Sequence, residues 1–221
     1  MSEKTKLLIA TGNAGKVKEI RHELEIAGLL GDFDVLGLKD NGSTFPDCIE
    51  DRPTFIGNAT KKARHYARLS GHLTLADDSG LCVDALNGAP GVYSARYAGI
   101  DGDRETVDAA NNKKLLDALK DTPDEKRQAQ FVCAMALATP HAELAVMLDH
   151  VDGLLLHEPR GTNGFGYDPL FYFPQFKRTT AELDMKSKSH ISHRGKALRR
   201  MISWMKENSR VVEVSPGAQG K

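Results

Sequence analysis

The chain has 221 residues, 40% of them hydrophobic, enough to bury a sizeable core as one elaborate domain or two packed lobes. Thirty lysines and arginines balance thirty aspartates and glutamates. That balance excludes the global basic field that holds extended nucleic acid by counterion release, so no polymeric nucleic acid is expected and any anionic ligand must be met locally.

The N-terminal stretch MSEKTKLLIATGN has neither the apolar core of a signal peptide nor the length of a membrane span, which makes the cytoplasm the expected location. Lys6 to Ala10 reads as a buried strand, followed by the Gly-containing turn 11–15 and then by a helix. Val17, Ile20, Leu24 and Ala27 share one face of that helix, and Gly28 is a natural stop. A second strand is expected over Asp34 to Leu38. An irregular stretch then leads from Lys39 to Pro53, with Thr54 as a helix cap. Ala59, Ala63 and Ala67 recur every four residues, so Phe55 to Leu69 reads as a helix with a small-residue seam ending near Gly71.

Leu73 to Val83 reads as two short strands interrupted by an Asp-Asp-Ser-Gly turn, and Gly88 to Gly91 as a loop. Arg104 to Leu119 is a helix with Val107, Leu115, Leu116 and Leu119 on one face. Phe131 to Leu137 and Leu144 to Leu148 are strand-length apolar runs joined by a hairpin at Thr139-Pro140-His141, and Leu154 to Leu156 offers a third antiparallel strand. Leu170 to Phe173 is strand-like and Gly195 to Lys206 helical, with a loose tail over about 209–221. Strands interleaved with helices, followed by a meander, predict an α/β fold: an elongated mixed β-sheet flanked by helices, in one two-lobed domain with a central cleft. Cys48, Cys82 and Cys133 are odd in number and widely spaced, which matches neither a disulfide framework nor a paired-ligand zinc site and points to a reducing compartment.

Three segments carry chemistry. Thr11, Gly12, Asn13, Ala14, Gly15 and Lys16 lie at a strand-to-helix junction, where backbone N–H groups and the helix dipole favour phosphate. The alternative is an ordinary strand-to-helix turn, since neither the Walker nor the Rossmann glycine pattern is present. Asp77-Asp78-Ser79-Gly80 offers the hard oxygen ligands magnesium prefers, one carboxylate ligating while its neighbour orients or deprotonates water; the alternative is a surface Asx turn. Glu50 is the nearest third carboxylate. Finally, Phe165, Gly166, Tyr167 and Asp168, with Lys188, His193 and Arg194, make a sensible nucleobase pocket: an aromatic to stack, a carboxylate to accept from a ring N–H, a cation to donate to a ring carbonyl. His190 and His193 read either as a metal pair or as a helix entry with solvent-facing imidazoles, with no third ligand at zincin spacing.

Taken in order, ATGNAGK, TFIGNATKKA, ADDSGLCVDALNGAPGVYSARYAG, GTNGFGYDPLF and KSHISHRGKAL resemble the inosine triphosphate pyrophosphatase family, from Ala10 to Leu198. The resemblance implies a homodimer that hydrolyses inosine, deoxyinosine and xanthosine triphosphates to monophosphate and pyrophosphate with Mg²⁺, Mn²⁺ being a possible substitute. It implies that Asp78 is metal ligand and proton acceptor with Asp77 as helper, that Glu50 is a second metal ligand, and that Ser79 touches substrate. It also implies that Thr11 through Lys16 and Lys62 meet phosphate, and that Phe165 to Asp168, Lys188, His193 and Arg194 line the substrate pocket. The chain departs from the family pattern at Gly57, where many relatives are acidic, and at Arg52, where they carry glycine; both lie close to Glu50. A related pyrophosphatase for modified pyrimidine nucleotides, and a catalytically silent nucleotide sensor, are the competing readings.

Overall fold

A computed structural model describes residues 4–40 and 44–213. In chain order it holds β1 (Thr5–Ile9), α1 (Ala14–Ile26), β2 (Phe33–Gly37), α2 (Phe55–Ser70), β3 (Leu73–Val83), α3 (Arg104–Ala118), β4 (Gln128–Ala138) and β5 (Glu143–Leu155). It continues with β6 (Phe171–Phe173), β7 (Arg178–Thr179), α4 (Met185–Ile191), α5 (His193–Glu207) and α6 (Ser209–Glu213). The seven strands form one open sheet in the order β2-β1-β3-β4-β5-β6-β7. β1 pairs in parallel with β2 and β3, while β6 pairs antiparallel with β5 and β7, so the sheet is mixed and the fold is α/β as expected. No described helix is long and apolar enough to cross a membrane.

The chain divides into two compact units. One comprises Met1–Asp78, Ala134–Leu148 and Gly195–Lys221; the other comprises Ser79–Cys133 and Asp149–Arg194. In the first unit, Ala59, Ala63 and Ala67 of α2 are fully buried together with Leu8, Ala10, Ala76, Ala134, Ala136 and Ala138. Small side chains on both surfaces let the helix lie close to the strands. α2 begins where Thr54 accepts the Gly57 N–H (3.0 Å) and ends at Gly71, which holds a left-handed backbone. In the second unit, Leu81, Leu115, Leu119, Phe131, Phe171 and Phe173 form the core. Arg127 is buried beside it and donates to the carbonyls of Leu119, Leu155 and Leu156, satisfying strand and helix ends that water does not reach.

Three expectations need correction, and one helix start is new. The Asp-Asp-Ser-Gly segment does not interrupt a strand: β3 runs unbroken for 11 residues with both aspartates buried inside it. Leu154 belongs to no separate strand, because β5 continues for 13 residues from the hairpin, and Leu156 lies just beyond its end. α4 begins where Asp184 caps the Ser187 N–H (2.7 Å), a start that the sequence reading did not place. The tail is helical over Ser209–Glu213 with Val212 buried, and residues 214–221 lie outside the described ones. Cys48, Cys82 and Cys133 form no disulfide.

Candidate active site

The first cluster is built by β1, α1, α2 and β3 within one unit. β1 ends at Ile9, and Asn13 caps α1 by accepting the Lys16 N–H (3.2 Å), while Thr11 accepts the Asn13 N–H (3.2 Å). The early N–H groups of α1 thus open a helix N-terminus, and Gly12 has open space where a side chain would stand. Lys16 extends from the first turn to Asp77, Nζ to Oδ2 3.1 Å. The turn at 11–16 is therefore more than a connection, since it delivers an ammonium group onto a buried carboxylate of β3.

Asp78 is buried and accepts from Asn58 Nδ2 at 3.0 Å, while Asn58 Oδ1 accepts the Arg52 N–H at 2.8 Å. Lys62 lies one helical turn beyond Asn58 on the same face of α2, and its Nζ is 2.6 Å from Glu50 Oε1. Burial pushes the Asp78 carboxyl up to about 6; Lys62 and Lys16 pull it down, and Glu50 adds to the rise. Burial opposes the charge on Lys62, yet Glu50, Asp77 and Asp78 together hold its pKa above the ordinary lysine value. Glu50, Asp77, Asp78, Lys16 and Lys62 thus form one electrostatic unit, and the surface Asx turn is ruled out because neither aspartate is exposed.

The second cluster belongs to the other unit. Asp168 accepts from the Phe165 N–H (2.8 Å) and from Lys188 Nζ (2.6 Å), and both partners of this ion pair are buried. The carboxylate lies so close over Gly164 that a Cβ there would collide with it, and Gly164 takes φ +81, so only glycine fits. The Phe165 ring has Lys188 Nζ 4.7 Å, Arg194 Cζ 5.6 Å and Arg104 Cζ 5.7 Å from its centroid. Arg194 Nη2 donates to Ser79 Oγ (2.8 Å), so the residue following Asp78 in β3 is tied to the cation beside Phe165. Tyr167 is buried and donates to the Ser94 carbonyl (2.8 Å); burial raises its phenol pKa well above the ordinary value.

His193 corrects the reading of solvent-facing imidazoles. It is buried and stacked on Phe131, with centroids 4.9 Å apart and planes at 16°, whereas His190 is exposed. With one imidazole buried in the core and the other exposed, the structure does not bring His190 and His193 together as a pair. The sequence reading passed over Asn58 and Arg104. Asn58 was legible in principle, since it stands four residues before Lys62 on a helix whose alanine seam was already recognised. Nothing local marked Arg104.

The model of the Ham1 family matches residues 7–204. A protein of Desulforamulus reducens named dITP/XTP pyrophosphatase is 49% identical over 89% of this chain and 94% of its own. One of the same name from Exiguobacterium sibiricum is 50% identical over 89% and 94%. The solved structure of a HAM1 protein from Coxiella burnetii superposes with a TM-score of 0.79 at 40% identity, covering 92% of this chain and 99% of that one. With the ordered motifs, the mixed sheet and the buried carboxylate and lysine cluster of β3 and α2, this chain belongs to the Ham1 family.

Proposed function

We propose that the protein hydrolyses non-canonical purine nucleoside triphosphates, namely inosine, deoxyinosine and xanthosine triphosphates, to the nucleoside monophosphate and pyrophosphate. The observation that carries this reading is the buried Asp78, flanked by Asp77 and Glu50 and approached by Lys16 and Lys62. The names of the curated relatives agree with it.

The donor set suits magnesium, with manganese as a substitute. Asp77, Asp78 and Glu50 present hard carboxylate oxygens. A magnesium site of one or two carboxylates, completed by water and substrate phosphate, has that composition. Asp78 and Glu50 would hold the ion. Bound there, it would supply a water of lowered pKa and neutralise phosphate charge.

The chain's own residues do the rest. Lys16 and Lys62, each now paired with a carboxylate, exchange that partner for phosphate oxygens. Asp78, assisted by Asp77, accepts the proton of the attacking water. The water oxygen bonds to the α-phosphorus, the bond to the bridging oxygen breaks, and pyrophosphate leaves with the electron pair. At the base, Asp168 accepts from the N1–H of hypoxanthine or xanthine, and Arg194 donates to O6. Adenine reverses both groups, a mismatch of about 1 to 3 kcal/mol each. We further propose a cytoplasmic homodimer; sedimentation of the purified chain checks the dimer, and fractionation of cells checks the location.

A panel of inosine, xanthosine, guanosine, adenosine and modified pyrimidine triphosphates, read by pyrophosphate release with and without Mg²⁺, tests the reading. Stoichiometric monophosphate and pyrophosphate from the inosine and xanthosine substrates supports it. Equal rates with adenosine triphosphate, release of orthophosphate alone, or preference for a modified pyrimidine overturns it.

A further inference from the structure

Resting on the reading of residues 165–168 as the base pocket, we propose that Asp108 and Asn112 of α3 are positioning residues for base recognition, gripping Gly166 from both sides of its backbone. The Gly166 N–H donates to Asp108 Oδ2 at 2.7 Å, and Asn112 Nδ2 donates to the Gly166 carbonyl at 2.9 Å. The two side chains stand four residues apart, one turn of the same helix, so a rigid element holds both polar groups of one loop residue.

The loop needs such a hold. Gly164 and Gly166 both adopt left-handed backbone, φ +81 and +62, and glycine has many alternatives to any one conformation. Between them stands Phe165, whose own N–H bonds to Asp168 Oδ2. Freeing Gly166 would release the aromatic ring and loosen the carboxylate beside it together. Arg104 extends the same stripe of α3: its Nε bonds to Asp108 (3.0 Å) while its guanidinium lies over the Phe165 ring. α3 therefore touches the pocket through residues 104, 108 and 112, spaced by four.

Asn112 commits its Nδ2 to the loop carbonyl. Asp108 is largely shielded, so its bond to the Gly166 N–H faces little competition from water.

The test combines hydrogen exchange at residues 164–168 with base selectivity, in the full chain. Asp108→Ala should accelerate exchange across 164–168 and lower the ratio of kcat/KM for inosine over adenosine triphosphate about tenfold, through KM with kcat held. Asp108→Asn keeps an acceptor for the Gly166 N–H and should restore most of both. Asn112→Ala should show the same pattern at about threefold with its thermal midpoint kept. Unchanged exchange at 164–168 in Asp108→Ala, or an equal loss for every base that Asp108→Asn fails to restore, overturns the proposal. Should Asp108→Ala not fold, Asn112→Ala decides by the same two measurements. If the unaltered protein proves not to discriminate between bases, the functional reading fails, and the exchange measurement alone still decides the grip on Gly166.

Discussion

In the proposed function the two clusters solve different problems with different parts of the fold. Around Asp78, the acidic pair stands on a strand, the two lysines on helices, and only Glu50 on irregular chain. Around Phe165, the aromatic ring and Asp168 sit on a loop, pinned by backbone N–H groups, by a lysine on the seven-residue α4 and by side chains of α3. Phosphate chemistry is the same for every base and gains from carboxylates that do not move, so rigid elements serve it. Recognition of a base edge depends on aiming a ring and a few polar atoms. A loop allows that aim to be set by left-handed glycines, at the cost of needing anchors.

Substitution at each centre should separate these roles. Asp78→Asn should lower kcat for inosine triphosphate about 10³-fold, the scale of losing a positioned proton acceptor, whereas Asp168→Asn should act mainly on KM and base preference. Pyrophosphate release across a concentration series distinguishes the two, and a pure KM effect of Asp78→Asn would erase the contrast.

In stability the order reverses. Lys188→Met strips the ammonium from the buried Asp168 and should cost about 3 kcal/mol in denaturant unfolding. The double variant with Asp168→Asn should recover most of it.

The Asp78 cluster should instead gain from losing its charge. A carboxyl raised from 3.8 to about 6 binds its proton more tightly folded than unfolded. Its contribution is therefore fully present below about pH 4 and is lost as pH rises through about 6. In metal-free protein, Asp78→Asn should be more stable than the unaltered chain above that range, by up to about 3 kcal/mol, and the gap should close on acidification. Thermal midpoints measured from pH 4 to 8 check this, and a gap that widens towards acid refutes it.

The smallest effect concerns Gly57 and Arg52. A Cβ on Gly57 would lie 2.9 Å from Arg52 Cβ and 3.1 Å from Thr54 Oγ1. Gly57→Ala should therefore cost about 1 kcal/mol despite the better helix former, and Arg52→Gly should relieve it. Thermal melts of the single and double variants would show whether the two positions are energetically coupled.

Much of the fold is legible in local pattern. The face of α1, the alanine seam and cap of α2, the span of α3 and the hairpin between β4 and β5 follow from periodicity and turn residues. The family was also legible, because five motifs in order specify it even where each alone is weak. What failed were segments whose local chemistry opposes their final state. Asp-Asp-Ser-Gly reads as a turn because unpaired carboxylates belong in water, and it becomes the middle of β3 only because Lys16 and Asn58, far away in sequence, meet those carboxylates.

The same division holds for the site. The sequence by itself determined most of the elements, the candidate residues on them and the family, since these depend on side-chain identity and on spacing along one segment. Only the tertiary structure decided that Lys16 meets Asp77, that Asp78 is buried with a raised pKa, that His193 stacks inside the core and that α3 holds Gly166. Burial and pairing are set by residues that are distant in the chain, and no local pattern encodes which distant groups will arrive.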